Sequence, residues 1–442
     1  MKPVVTTLLN GLKTILINTK AFPSMTAILL FRAGSRYENK KNNGIAHFFE
    51  HMPFKGSQKY PSFFEISSVL EGLGAVHNAY TSKDHTAYWI KAPTEDFSVV
   101  INVLSDMILH PLLKSDEIER EKGVIVEEIN MYEDSPQRKV GDLFENLLYG
   151  ETPLGMDTTG TKETVTKFTR TTFTDYMSSL YHPENAVFVV AGGLGQAQMS
   201  NLKTQNHISK LKSFLDTIQE KFGDWNTGQP AGGLARFEKV VEKQKKPEML
   251  IRYKKTEQTH YSLGFRTFSF ADPRRHALSV LTTLLGGGSS TRLFIEVRER
   301  RGLCYYISSG RELYQDVGYM TTQAGVTNNL EKIKESISVI LGEHKKIAQG
   351  KLNTGEVSRA KEIIKGRFLL SMEDSSNVAS WHGTKYILEG KVEEVEKVIR
   401  EIEKVTEDEV IELAREIFRP ERLNLAIIGP YEEKDFEGTV AI

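Results

Sequence analysis

Tyr181-His182-Pro183-Glu184-Asn185-Ala186-Val187-Phe188-Val189-Val190 and, 237 residues later, Phe418-Arg419-Pro420-Glu421-Arg422-Leu423-Asn424-Leu425-Ala426-Ile427 follow one plan. Each is a helix end, a proline that stops the helix, and an apolar run that reads as a strand. Four identities fall at that single offset: Thr169/Thr406, Pro183/Pro420, Glu184/Glu421 and Gly192/Gly429. Thr169 and Thr406 are suited to cap the two helices at their starts. The chain therefore reads as a duplication, two homologous halves of about 220 residues. A length of 442 residues agrees, because a single hydrophobic core stops growing at roughly 250–300 residues.

The one polar Gly/Pro stretch between periodic segments, Asp224 to Gly233, marks the join. The expected division is a domain over 1–222, a linker over 223–245 and a homologous domain over 246–442. In the first half, Asn10-Gly11 between β-branched runs reads as a hairpin turn, and the run 24–34 as a strand. A helix follows around His47. Ser62 with Glu65 opens another helix in a capping-box pattern, two strands lie at 75–81 and 84–92, and helices at 95–108 and 116–133. The second half reads as strands near 248–267, helices near 273–285, 329–348 and 355–371, and a strand at 423–428. Strands with interspersed helices predict an α+β fold, a mostly antiparallel sheet packed with helices in each half.

Lys and Arg total 57 against 58 Asp and Glu, a formal net charge of −1, and a nucleic-acid binder usually shows a basic excess. Neither nucleic acid nor membrane is an expected partner, since the longest apolar stretches, such as Ala27 to Phe31, fall far short of a spanning helix. The single cysteine, Cys304, cannot form an intrachain disulfide, so a reducing, cytoplasmic location is expected.

Gly44-Ile45-Ala46-His47-Phe48-Phe49-Glu50-His51-Met52 contains H-x-x-E-H. On a helix His47 and His51 share a face, so both imidazoles can converge on one ion, and Glu50 lies near enough to take a proton from water held there. Two unrelated core or surface histidines fit the spacing as well, and a third ligand is needed. The helix at 116–133 offers Glu117, Glu119, Glu121, Glu127 and Glu128. Glu121 and Glu128 are two turns apart and flank Val124 and Ile125, which points their stripe inward.

His47-Phe48-Phe49-Glu50-His51 and its surroundings resemble the pitrilysin family of inverzincin zinc metallopeptidases, which includes bacterial two-domain peptidases and the mitochondrial processing peptidase. The resemblance covers nearly the whole chain: Gly44-Ile45-Ala46, Phe54-Lys55-Gly56-Ser57, Asn78-Ala79-Tyr80-Thr81 and the run through Glu127-Glu128-Ile129. It implies a clamshell of two halves holding one Zn²⁺ per chain on His47, His51 and Glu128, with Glu121 orienting the site and Glu50 as general base. His77, Asn78, Ala79 and Tyr80 match the edge strand that binds peptide. In the second half Gly286-Gly287-Gly288-Ser289-Ser290-Thr291-Arg292 leads to Arg298 and Tyr305, which match the family's Arg and Tyr seven apart. By resemblance these two catalytic-site residues grip the substrate carbonyl and its developing oxyanion. The implied protein is a zinc endopeptidase acting on peptides or unfolded polypeptides. Both motifs occur in one chain, so a homodimer is the economical assembly. The competing expectation is a non-catalytic peptide-binding or assembly subunit of the same fold.

Overall fold

The computed structural model describes residues 2–20, 22–194, 205–225 and 234–439. The expected join at Asp224–Gly233 falls largely outside the described residues. The first sheet contains β1 (Val4–Thr7), β2 (Lys13–Asn18), β3 (Ser24–Phe31), β4 (Val76–Thr81), β5 (Thr86–Pro93) and β6 (Ala186–Gly192), in the order β1-β2-β6-β3-β5-β4. The second contains β7 (Glu248–Tyr253), β8 (Gln258–Thr267), β9 (Cys304–Leu313), β10 (Gly318–Thr327) and β11 (Leu423–Gly429), in the order β7-β11-β8-β10-β9. Leaving out β1, the two orders are the same. β2 runs parallel to β6 as β7 does to β11, and every other pairing is antiparallel. The duplication read from Pro183/Pro420 is thus a duplication of topology.

Its local devices recur as well. The helices Arg170–Leu180 and Glu407–Ile417 both open with a threonine capping box, Thr169 and Thr406. Each ends ahead of a single 3-10 turn that starts at the repeated proline. The Thr19 N–H donates to the Gly192 carbonyl and the Lys254 N–H to the Gly429 carbonyl, both at 2.9 Å. Gly192 has φ 149°, and a Cβ there would lie 2.3 Å from the Ser24 carbonyl oxygen, so only glycine closes this strand end.

The chain forms two compact units, and neither is contiguous. One comprises Met1–Ile129, Asp157–Glu238 and Leu370–Val395; the other comprises Asn130–Met156, Lys239–Leu369 and Glu396–Ile442. The contiguous division at 1–222 and 246–442 is corrected accordingly, and the reason lies in the sheets. Along β3, Met25, Ala27, Leu29 and Phe31 face the main core of the first unit, so Thr26, Ile28 and Leu30 point to the opposite face. They are buried there too. The helix Ser375–Glu389 provides the cover, with Ser375 Oγ 2.9 Å from Thr26 Oγ1 and Gly383 set against Leu30 and Val189. Asp374 caps that helix and accepts from Lys91 Nζ on β5 at 2.8 Å. In the second unit the helix Pro136–Tyr149 does the same for the second sheet, packing Val140, Phe144 and Leu148 with Ala426 and Ile428. Neither covering helix was among those expected from sequence.

This packing makes two mid-helix glycines behave oppositely. A Cβ at Gly383 would sit 2.4 Å from Leu30 Cδ1, whereas at Gly366, in the helix Glu356–Ser371, it would meet nothing within 4 Å. Gly383→Ala is expected to destabilise by about 1–3 kcal/mol through overpacking. Gly366→Ala should be neutral or stabilise by up to about 1 kcal/mol. Urea-unfolding midpoints of the two variants check the difference in sign.

Candidate metal centre

The helix Ile45–His51 carries the H-x-x-E-H motif, with Ile45, Ala46, Phe48 and Phe49 buried in the core of the first unit. Phe48 and Phe49 pack edge-on against Phe173 and Tyr181, with ring centroids 4.9 and 4.6 Å apart. That anchorage leaves His47 and His51 on a common face, their rings 4.9 Å apart. Glu128 comes from the helix Ser115–Glu133. Its Oε1 lies 3.5 Å from His47 Nε2 and its Oε2 3.9 Å from His51 Nε2. One ligand atom from each of the three residues falls within 4.8 Å of the others, and no second such group occurs among the described residues.

The ligand helix corrects one expectation. Its buried stripe is Ile118, Glu121, Ile125 and Ile129, while Val124 is half exposed. At about 100° per residue, Glu128 stands at the rim of that stripe and Val124 lies beyond it. The rim position leaves the Glu128 carboxylate partly open.

Glu121 is nearly buried, and its charge is matched. Its Oε1 is 2.8 Å from His51 Nδ1 and its Oε2 is 2.6 Å from Lys55 Nζ. Burial alone would raise its pKa, but the bonds to His51 and Lys55 outweigh that and hold the carboxyl below its ordinary value. The resulting carboxylate accepts the Nδ1 proton of His51 and leaves Nε2 free to ligate. Lys55 lies in the run Phe54–Ser57, and its role comes from geometry alone. Burial pushes the Glu50 carboxyl up, more than the attraction of His47 and a bond from the Thr81 side chain pull it down. Thr81 likewise had no assigned role, and no local pattern marked it. His85 is no ligand: it is buried between Ser82 and Thr384, and burial lowers its pKa to about 4.

Zinc fits this donor set. Two imidazole nitrogens and a carboxylate oxygen are zinc's common ligands, and tetrahedral bonds of about 2.0–2.2 Å place ligand atoms roughly 3.3 Å apart. The observed 3.5 and 3.9 Å separations are close to that.

The remaining expected residues lie elsewhere in the fold. His77, Asn78, Ala79 and Tyr80 belong to β4, which ends the first sheet and, among the described residues, pairs only with β5. His77 stacks on Phe54, and the Tyr80 hydroxyl is 2.9 Å from Ser380 Oγ. In the second unit, Arg298 sits on the π-helical turn Phe294–Glu299, its guanidinium 5.7 Å from the Tyr305 ring centre. Tyr305 is the second residue of β9, the edge strand equivalent to β4, and is 74% exposed. Among the described residues no helix is long and apolar enough to cross a membrane.

Residues 13–162 match the family described as Insulinase (Peptidase family M16), and residues 167–364 match Peptidase M16 inactive domain. The chain is 34% identical over 422 residues to an uncharacterized zinc protease, YmxG, of Bacillus subtilis, covering 95% of this chain and 97% of the relative. It is 31% identical over 430 residues to an uncharacterized zinc protease of Mycobacterium leprae, covering 97% and 92%. Among solved structures, a protease from Helicobacter pylori aligns with a TM-score of 0.87 at 23% identity, covering 97% of this chain and 99% of that one. A peptidase M16 inactive domain from Pseudomonas fluorescens gives 0.85 at 19% identity, covering 98% and 99%. These last two likenesses concern the fold. The chain belongs to peptidase family M16.

Two outcomes follow for metal binding. Glu121→Gln should weaken zinc binding by about 10- to 100-fold, the usual effect of losing an outer partner of a ligand, as read by competition with a chromogenic chelator. Burial opposes protonation of His47, yet its bond to Glu128 and the charge of Glu50 outweigh burial and raise its pKa above 6.5. Protons therefore compete for this imidazole from a higher pH than usual, and the same competition should show zinc affinity falling as pH drops from 8 to 6.

Proposed function

We propose that the chain is a zinc-dependent endopeptidase that hydrolyses peptides or unfolded polypeptides and works as a homodimer. The observation that carries this reading is the convergence of His47, His51 and the Glu128 carboxylate, with Glu50 on the same helix. The zinc-protease names of the relatives support it.

Zinc, when bound by His47, His51 and Glu128, supplies Lewis acidity toward a peptide carbonyl and the attacking water. Glu50 takes the proton of that water on a carboxylate oxygen and returns it to the amine of the leaving peptide. A carboxyl raised by burial is suited to holding that proton between the two steps. β4, at the end of the first sheet, lines up an extended peptide through the outward-facing main-chain groups of alternate residues along His77–Tyr80, a mode tolerant of side-chain identity. His77 and Tyr80 flank it. On the family resemblance, Arg298 grips the substrate and Tyr305 donates its phenolic hydrogen to the developing oxyanion. The second half provides no metal ligands in this reading, in keeping with the inactive-domain description of the family it matches.

Glu50→Gln should keep about one zinc per chain and lose hydrolysis of a mixed peptide library, because an amide cannot accept the proton. Tyr305→Phe should keep zinc and lower kcat by up to about 10²–10³ with little change in KM. Wild-type protein that holds zinc and binds peptides without cutting them would favour the non-catalytic subunit instead.

A further inference from the structure

The two histidine ligands are held in different ways. The His51 ring is fixed through Nδ1 by the Glu121 carboxylate. His47 Nδ1 is buried with no hydrogen-bond partner among the described residues, so its ring is not held from that side as His51 is, and Glu128 meets it at Nε2, the nitrogen that would face the ion. Its position depends on the backbone that carries it.

That backbone begins unusually. Gly44 precedes the helix with φ 94° and offers no side-chain cap. A Cβ at Gly44 would lie 2.7 Å from the Thr159 carbonyl oxygen, so no capping residue could stand there. The missing cap comes from six residues upstream. Glu38 is 4% exposed. Its Oε1 accepts from the Ala46 N–H at 2.8 Å, and its Oε2 accepts from the Gly44 N–H at 2.8 Å and Asn43 Nδ2 at 2.9 Å. Asn43 Nδ2 also reaches the Asp157 carbonyl at 2.9 Å, tying the cap to the loop behind it.

We propose that Glu38 is a positioning residue of the metal centre, its buried carboxylate fixing the Gly44–Ala46 backbone and, through it, the imidazole of His47. A carboxylate spanning two N–H groups defines both the height and the rotation of the first helical turn, and the next residue is the ligand. This inference rests on the reading of His47, His51 and Glu128 as a zinc site. Burying a carboxylate is costly unless it is hydrogen-bonded, and the donors on Asn43, Gly44 and Ala46 meet that cost while fixing the start of this one helix.

The test uses the full-length, metal-free protein titrated with zinc against a chromogenic chelator. Glu38→Gln keeps the size but turns an amide N–H₂ toward one backbone N–H. It should weaken zinc affinity by about 10- to 100-fold, as loss of an outer partner does, in protein whose far-UV circular dichroism matches wild type. The ligand-field band of the cobalt(II)-loaded protein should shift in the same variant, since cobalt reports the geometry of its donors. Glu38→Asp, too short to span both N–H groups, should give an intermediate loss and serves if Glu38→Gln does not fold. A lower melting temperature with unchanged zinc affinity and an unchanged cobalt band would overturn the proposal and leave Glu38 a purely structural cap. Wild-type protein that binds no zinc would overturn instead the reading on which it rests.

Discussion

A strand buried on both faces must be covered twice, and that constraint organises the whole chain. β6 and β11 are buried along their full length, and β3 along all but its first residue. Alternation along a strand then sends every second side chain away from the main core. Each such Ile, Leu or Val is worth about 1.5–3 kcal/mol only if it is kept from water. Ile28, Leu30, Val187 and Val189 therefore need a second layer, and so do Ala426 and Ile428. The helices Ser375–Glu389 and Pro136–Tyr149 supply it. Both are fastened alike: Arg32 Nε donates to the Ile387 carbonyl at 3.0 Å, and an Arg266 Nη2–H donates to the Leu148 carbonyl at 2.5 Å. In both units a buried arginine thus ties the cover near its C-terminal end.

The metal centre depends on the same rigid frame. Glu121 lies on an apolar stripe between Ile118 and Ile125, where an unpaired carboxylate would be costly. Lys55 and His51 offset that cost, and the lysine stands beyond the end of the very helix that carries the histidines. Charge balance within the core and alignment of the ligand are therefore one arrangement. A lysine-to-methionine change at 55 would disturb both, although it touches no ligand.

Much of this was legible from residue spacing, and the remainder has physical reasons for being hidden. His47 and His51 are four apart on one helical face, a local relation that sequence states directly. Thr169, Thr406 and the repeated prolines carry the duplication because caps and breakers are also local. Glu128 was narrowed by its two-turn spacing from Glu121, but its choice as the third ligand rested on the family resemblance, since spacing within one helix does not say which carboxylate meets a distant histidine pair. The helix Ser375–Glu389 escaped notice because it packs with small residues, Ala379 and Gly383, against the sheet, which leaves no strong apolar period. Its allegiance to β3, some 350 residues earlier, is a tertiary fact with no local signature. Glu38 escaped for the same reason: a cap delivered from outside the helix breaks the rule that caps adjoin their helices.

The exchange of covering helices also fixes an order of events during synthesis. Every zinc-ligand candidate lies before residue 130, yet the unit that holds them is completed only by Leu370–Val395. At about 5–20 residues per second, a ribosome needs roughly seven to thirty seconds to travel from the end of the Asp157–Glu238 segment to that helix. Throughout that interval one face of the first sheet has no partner on its own chain. The nascent first half must wait, apolar face uncovered, for a helix encoded near the end of the message.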